Sequence, residues 1–186
     1  LCKLVNETQL SVDDLVQPVF VTSSDNKTEI PSMPNQFHIP LNSIEQEVEL
    51  IINTGINAII LFGIPQKKDE HASDTFNDNG IIQQAIRKIK KTYPKLLIIT
   101  DVCFCQYTTH GHCGILDDKG LINRKESLEY LQEQVISHAN AGADVVAPSC
   151  MIDEMVQYIR TELDNNGYED RGILSYAVKY GSAFYG

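Results

Sequence analysis

Residues 96–116 read LLIITDVCFCQYTTHGHCGIL. The segment opens as a continuous apolar run, turns polar at Thr100 and Asp101, and then gathers three of the chain's five cysteines and two of its five histidines between Cys103 and Cys113. Pro94 stands just before it, and Gly111 and Gly114 lie within its second half. A short apolar run bounded in this way is the pattern of a buried strand whose C-terminal end opens into a tight loop. The fold therefore turns on what surrounds this strand.

Working outward, the same rhythm repeats. Residues 15–21 (LVQPVFV), 57–65 (NAIILFGIP), 143–149 (ADVVAPS) and 172–180 (GILSYAVKY) read as four more strands. Pro18 in the first is tolerated near an edge or bulge. Amphipathic helices fill the intervals. Ile44, Val48, Ile51 and Ile52 share one face, with Ser43 and Gln46 spaced as a capping box and Gly55 as the stop. Ile82, Ala85, Ile86 and Ile89 mark the next helix, with Lys88, Lys90 and Lys91 near its C-terminus, where positive charge suits the helix dipole. Asn123 and Glu126 open a third helix carrying Leu128, Leu131, Val135 and Ala139, which Gly142 ends. Ile152, Met155, Val156, Ile159 and Leu163 line a fourth, for which Ser149 is a candidate N-cap. Residues 22–40, with three prolines, and residues 67–80 read as long polar loops.

Near-continuous apolar strands alternating with helices imply an α/β fold with a parallel sheet. Two architectures satisfy the pattern: an open doubly wound sheet and a (β/α)₈ TIM barrel. No GxGxxG follows the first strand, which weakens the dinucleotide-binding version of the open sheet. The long polar loops follow strands, where a barrel places its active site. Five strands are about five-eighths of a barrel. The chain begins at Leu1 and stops at Gly186, the last residue of SAFYG, so residues 1–186 are expected to be one partial domain whose C-terminal part is missing.

Composition narrows the function classes. A net charge of −10 over 186 residues argues against nucleic acid or an anionic membrane as the main partner. No apolar run approaches the eighteen residues of a membrane span, and the N-terminus lacks a secretory pattern. A reducing, cytoplasmic setting is expected, which makes free thiols a better reading than disulfides.

The polar residues with chemical interest share an address at the strand ends. Cys103, Cys105 and Cys113 have the spacing C-x-C-x₇-C. Three thiolates with an open fourth position suit catalytic zinc, and His110 or His112 can complete a closed site instead. A redox pair, or inert buried thiols alternating on a strand, are the competing readings. Lys179 ends an apolar run, where desolvation favours a neutral amine that attacks carbonyls, although a lysine can also snorkel from a strand end. Asp101 can serve as a base or cap the loop that follows.

Taken together, DVCFCQYTTHGHCGIL, VVAPSCMID and ILSYAVKYGSAFYG resemble the porphobilinogen synthase (delta-aminolevulinic acid dehydratase) family. QPVFV, IPSMPNQFHI, LFGIPQKKD and AIRKIKKTYPKLLIITD extend the likeness over nearly the whole chain, in family order. The resemblance implies a (β/α)₈ barrel enzyme, a hydro-lyase that joins two molecules of 5-aminolevulinate into porphobilinogen for haem and other tetrapyrroles. It implies an active-site zinc held by Cys103, Cys105 and Cys113, with an additional magnesium. Lys179 matches the first of two imine-forming lysines, Asp101 a pocket aspartate near the substrate amine, Ser149 a substrate-contacting serine and Tyr185 an aromatic near the same site. It also implies homo-oligomers, often octamers, with an N-terminal arm wrapping a neighbour.

Three departures qualify these implications. The family pattern continues past FYG to a second lysine, so the chain alone is expected to be inactive. Most of the arm is expected to be missing from residues 1–186. Cys150 stands where the family usually has Asp, and it is expected not to bind the zinc. A lysine-dependent aldolase on the same barrel and a non-catalytic zinc-binding remnant are the rival functions.

Overall fold

The structure, a computed structural model, describes residues 4–181. Its sheet has seven strands: β1 (Gln17–Thr22), β2 (Thr28–Glu29), β3 (Phe37–Pro40), β4 (Ala58–Ile64), β5 (Leu97–Val102), β6 (Val145–Pro148) and β7 (Gly172–Ile173). Four helices accompany them: α1 (Ile44–Asn53), α2 (Ile81–Thr92), α3 (Arg124–Ala141) and α4 (Met155–Asn165). The strand order is β2-β3-β1-β4-β5-β6-β7, and from β1 through β7 every pairing is parallel and follows chain order.

Register decides between the two architectures. Val19 pairs with Leu61, Leu61 with Thr100, and Thr100 with Val146, so these four residues share one face of the sheet. Val19 and Leu61 pack with Val48 of α1 and Ile82, Ile86 and Ile89 of α2. Val146 packs with Leu131 and Val135 of α3 and Ile159 and Leu163 of α4. All four helices therefore cover the same face, and no strand-order reversal occurs along β1-β4-β5-β6-β7. A doubly wound sheet needs both a reversal and helices on two faces. This sheet is singly wound, the arrangement of a (β/α)₈ barrel wall, and it is not closed. The opposite face carries Phe20, Ile60, Phe62, Leu97, Ile99, Asp101 and Ala147. The Phe20 and Phe62 rings stack there at 5.1 Å, and Leu97 is 40% exposed.

Local structure departs from the sequence expectations at four places. Residues 22–40 are not simply a loop. They contain a β2–β3 hairpin whose second strand adds parallel to β1, because Ile39 is apolar enough to bury itself in the core beneath α1. Pro18 fits β1 because β3 pairs only from Phe20 onward, leaving the proline's missing N–H on an unpaired side. Ser43 does not make a capping box. A 3-10 turn over Leu41–Ser43 leads into α1 and holds Ser43 at φ −107°, ψ 7°, out of the extended conformation of an N-cap, and its hydroxyl donates back to the Pro40 carbonyl at 3.2 Å. Ser149 does not cap α4, which starts six residues later with Glu154 at its N-cap in the left-handed region. The fifth expected strand is regular only at β7. Beyond it the backbone still follows β6 through Leu174 N–H to Val146 O (2.9 Å) and Tyr176 N–H to Pro148 O (3.3 Å).

The third helix is bounded as its sequence suggests. Asn123 Oδ1 accepts from Glu126 N–H, and Gly142, at φ 108°, ends α3 in a conformation that favours glycine. No helix among the described residues is long and apolar enough to cross a membrane.

One buried polar contact ties α3 to the sheet. His138 is fully buried, and its Nδ1 lies 3.0 Å from Thr100 Oγ1 on the helix-facing side of β5. Burial disfavours the imidazolium and pushes the His138 pKa down from 6.5 to about 4. Between those values the unfolded chain binds a proton that the folded chain rejects. The fold therefore keeps its full stability above pH 6.5 and loses roughly 3 kcal/mol as pH falls through 4. Urea denaturation of the protein and of His138→Met between pH 7.5 and 4 checks this. The stability gap between the two should narrow with acidification, and a constant gap would show that His138 does not titrate in this way.

Candidate active site

Strand β5 ends at Val102, and the chain then turns sharply. Tyr107 N–H and Thr108 N–H both donate to the Phe104 carbonyl, at 2.8 and 2.9 Å, closing a helical turn over the buried Phe104. That turn, rather than strand alternation, sets Cys105 Sγ 3.4 Å from Cys103 Sγ. The chain returns through Gly111, at φ 75°. The return is held where Ser127 Oγ accepts Ile115 N–H at 2.9 Å and Ile115 O accepts Asn123 N–H at 2.8 Å. Cys113 is thereby brought back, and the sulfurs of Cys103, Cys105 and Cys113 all lie within 4.8 Å of one another. A tetrahedral zinc with Zn–S bonds of ~2.3 Å needs sulfurs ~3.8 Å apart, so the trio fits such an ion with small adjustments.

The histidines of the loop stay outside the trio. His112 is exposed, and its N–H donates to His110 Nδ1 at 3.1 Å, with the two rings 5.4 Å apart. All four described cysteines are free thiols.

Crowding makes the thiols unequal. The sulfur contacts of Cys103 with Cys105, then Cys113 and Cys150, hold its thiol far below the ordinary range. Its hydrogen bond with Cys105, followed by that with Cys113 and by burial, pushes the Cys105 thiol up. The Cys103 contact likewise raises Cys113 and, together with burial, Cys150. The crowded thiols thus resist ionising together. A divalent cation would reverse that resistance by stabilising the further thiolates.

Asp101, two residues before Cys103, faces the side of the sheet without helices, beside its register partner Ala147. Burial and then the Cys103 thiolate raise its pKa to about 7, opposed by the Ser149 hydroxyl and the Lys179 ammonium. Its Oδ1 is inaccessible to solvent and has no hydrogen-bond partner. Ser149 follows β6 and is locked to β5 by its N–H to Val102 O at 3.1 Å. Its carbonyl accepts Lys179 Nζ at 2.7 Å, and that ammonium also lies 5.6 Å from the centre of the Tyr176 ring. Lys179 itself is exposed, so the desolvation expected from its apolar flank is not present here.

The structure therefore brings Asp101, Cys103, Cys105, Cys113, Ser149 and Lys179 to one end of the sheet. Tyr185 lies outside the described residues. Two neighbours were underweighted by sequence reading. Cys150, expected only not to bind the zinc, is buried in the same cluster as Cys103 and reaches the Val102 carbonyl at 3.6 Å. Tyr107 was passed over. It is buried, and its hydroxyl lies 2.0 Å from where a Cβ on Gly63 would be. The available signal was Gly63 itself, since a glycine within an apolar strand marks a close approach.

Known proteins share this arrangement of chain. A family profile described as "Delta-aminolevulinic acid dehydratase" matches residues 1–186. The delta-aminolevulinic acid dehydratase of Ruminiclostridium josui is 46% identical over 187 residues, covering 100% of this chain and 91% of that protein. The protein of the same name from Halalkalibacterium halodurans is 47% identical over 184 residues, covering 98% of this chain and 56% of the relative. The crystal structure of delta-aminolevulinic acid dehydratase (porphobilinogen synthase) from Toxoplasma gondii ME49, in complex with the reaction product porphobilinogen, superposes with a TM-score of 0.93 at 36% identity. That match covers 99% of this chain and 53% of the other. The chain spans little more than half the length of the Halalkalibacterium and Toxoplasma proteins. With a matching profile along its whole length and a relative 46% identical that it covers almost completely, the chain belongs to the delta-aminolevulinic acid dehydratase family.

Proposed function

We propose that the protein is a porphobilinogen synthase. It condenses two molecules of 5-aminolevulinate into porphobilinogen with release of two waters. The observation that carries this reading is the convergence of three thiols, a buried carboxyl group and a lysine ammonium at one set of strand ends. A family relative crystallised with porphobilinogen supports the substrate class. A lysine-dependent aldolase would leave the thiol cluster without a use.

Lys179 is the nucleophile toward one substrate. Its Nζ leaves the Ser149 carbonyl, gives up a proton and attacks the ketone of 5-aminolevulinate. Loss of water then leaves an imine that acidifies the adjacent C–H bonds. Asp101, held near neutrality by burial, stands next to that amine and can accept or return a proton there. The Ser149 hydroxyl favours the carboxylate form of Asp101 and is placed to orient substrate. Tyr185 is assigned to the same substrate by the family resemblance alone. Cys103, Cys105 and Cys113 would hold zinc, which when bound supplies Lewis acidity toward the carbonyl of the second substrate. The four free thiols suit a reducing compartment, and we place the protein in the cytoplasm. Assembly as a homo-octamer and an additional magnesium belong to the same reading and rest on the family resemblance.

Two measurements test the proposal. Purified protein should carry about one zinc per chain, and Cys103→Ala or Cys113→Ala should weaken that binding by more than ~100-fold, beyond the cost of losing an outer-shell partner. Retention of stoichiometric zinc in both variants would remove the three-thiol site. Separately, borohydride reduction in the presence of 5-aminolevulinate should leave a covalent adduct on Lys179 in the full-length protein. Lys179→Ala should lower porphobilinogen formation at least ~100-fold. An adduct confined to other lysines would rule out Lys179 as an imine-forming residue.

A further inference from the structure

The β4–β5 ladder stops at Leu61 and Thr100, short of the end of either strand. Beyond it, the turn that carries Cys105 is tied to β4 and the segment after it at two points. The first is backbone: Asp69 N–H donates to Tyr107 O at 3.2 Å, and Thr109 N–H donates to Asp69 O at 3.1 Å. Asp69 is itself held in place, its Oδ1 accepting His71 N–H at 2.9 Å and Ser73 N–H at 3.0 Å. The second is the Tyr107 side chain. Gly63 lies two residues past Leu61 in β4 and so faces the helices. The Tyr107 hydroxyl overlaps the place that a Cβ on Gly63 would occupy. The next nearest atoms are Ile82 Cγ1 at 2.9 Å and Ile81 Cγ2 at 3.1 Å, so every ring carbon of Tyr107 lies farther away than these. Gly63 is therefore a socket matched to one hydroxyl near the end of β4, and the buried Tyr107 fills it.

We propose that Tyr107 is a positioning residue for the thiol centre, its side chain seated at Gly63 so as to set the direction of Cys105 toward Cys103 and Cys113. This inference rests on the three-thiolate reading above. Cys103 directly follows the paired end of β5, but Cys105 depends on the turn that the Tyr107 and Thr108 amides close on the Phe104 carbonyl. One end of that turn continues β5, and the other is anchored by Tyr107 to β4. A shift of Tyr107 is thus passed to Cys105, two residues away in the same turn. It would open the 3.4 Å spacing of the Cys103 and Cys105 sulfurs. Ligand groups hold an ion well only when packing fixes them to within about 0.5 Å.

Cobalt(II) titration of the folded protein, followed by thiolate-to-cobalt charge transfer, tests the proposal. Gly63→Ala should push the hydroxyl from its socket and weaken cobalt binding ~10–100-fold, the range for loss of an outer-shell partner. Combining Gly63→Ala with Tyr107→Phe removes the overlapping hydroxyl and should restore most of the affinity. Tyr107→Ala empties the socket and adds no bulk. It should weaken binding to the same extent, and it decides the matter should Gly63→Ala not fold. Wild-type affinity in folded Gly63→Ala or Tyr107→Ala, with only the resistance to urea lowered, would overturn the proposal by making the contact purely structural. A double variant as weak as Gly63→Ala would reject it too, by assigning the effect to Ile81 and Ile82. Absence of a charge-transfer band in the unsubstituted protein would instead reject the three-thiolate reading, and this inference would fall with it.

Discussion

The parallel pairing of β5 with β6 is the constraint on which the site depends. Asp101 stands opposite Ala147 and Val102 opposite Pro148. The pairing is pinned at both ends. At its start, Asp144 accepts the Ile98 N–H at 2.8 Å and the Lys90 ammonium at 2.6 Å. At its finish, Ser149 N–H reaches Val102 O. A slip of one residue would exchange the two faces of a strand. Asp101 would then face the helices, and Thr100 would leave His138 without its hydroxyl partner. The buried His138–Thr100 contact and the apolar side chains of α3 therefore protect the chemistry on the opposite face without touching it.

Much of this was legible in the sequence, and the failures share a cause. Strands and helices with strong apolar periodicity, such as β4, β5 and α3, appear where residue patterns place them. Singly and doubly wound sheets were not distinguishable, because both produce the same alternation of strands and helices. Only inter-strand register shows which face each helix covers. Ser43 and Ser149 have the right residue type for caps, but a preceding 3-10 turn in one case and a delayed helix start in the other take them out of position. The β3 strand was hidden by the prolines around it, although Ile39 carried the apolar signal.

The site divides in the same way. Spacing and glycines were enough to suggest that Cys103, Cys105 and Cys113 meet, but not how. A helical turn after β5 does the work for Cys105, and a backbone anchor at Ser127 does it for Cys113. The burial of Cys150 in one cluster with Cys103 depends on strands β5 and β6 lying side by side, which no local pattern encodes. Electrostatics then link the parts. A crowded thiol trio beside a carboxyl group raised to about 7 is a site that disfavours further negative charge. Cation binding would relieve it, ionise the remaining thiols and release protons.

The central claim is that three sulfurs of one loop hold a single ion beside the carboxylate and the lysine. X-ray absorption at the zinc edge of the purified protein tests this most directly. The account predicts a first shell of three sulfurs at ~2.3 Å with one lighter oxygen or nitrogen neighbour. A shell dominated by imidazole nitrogen, or one containing four sulfurs, would contradict it.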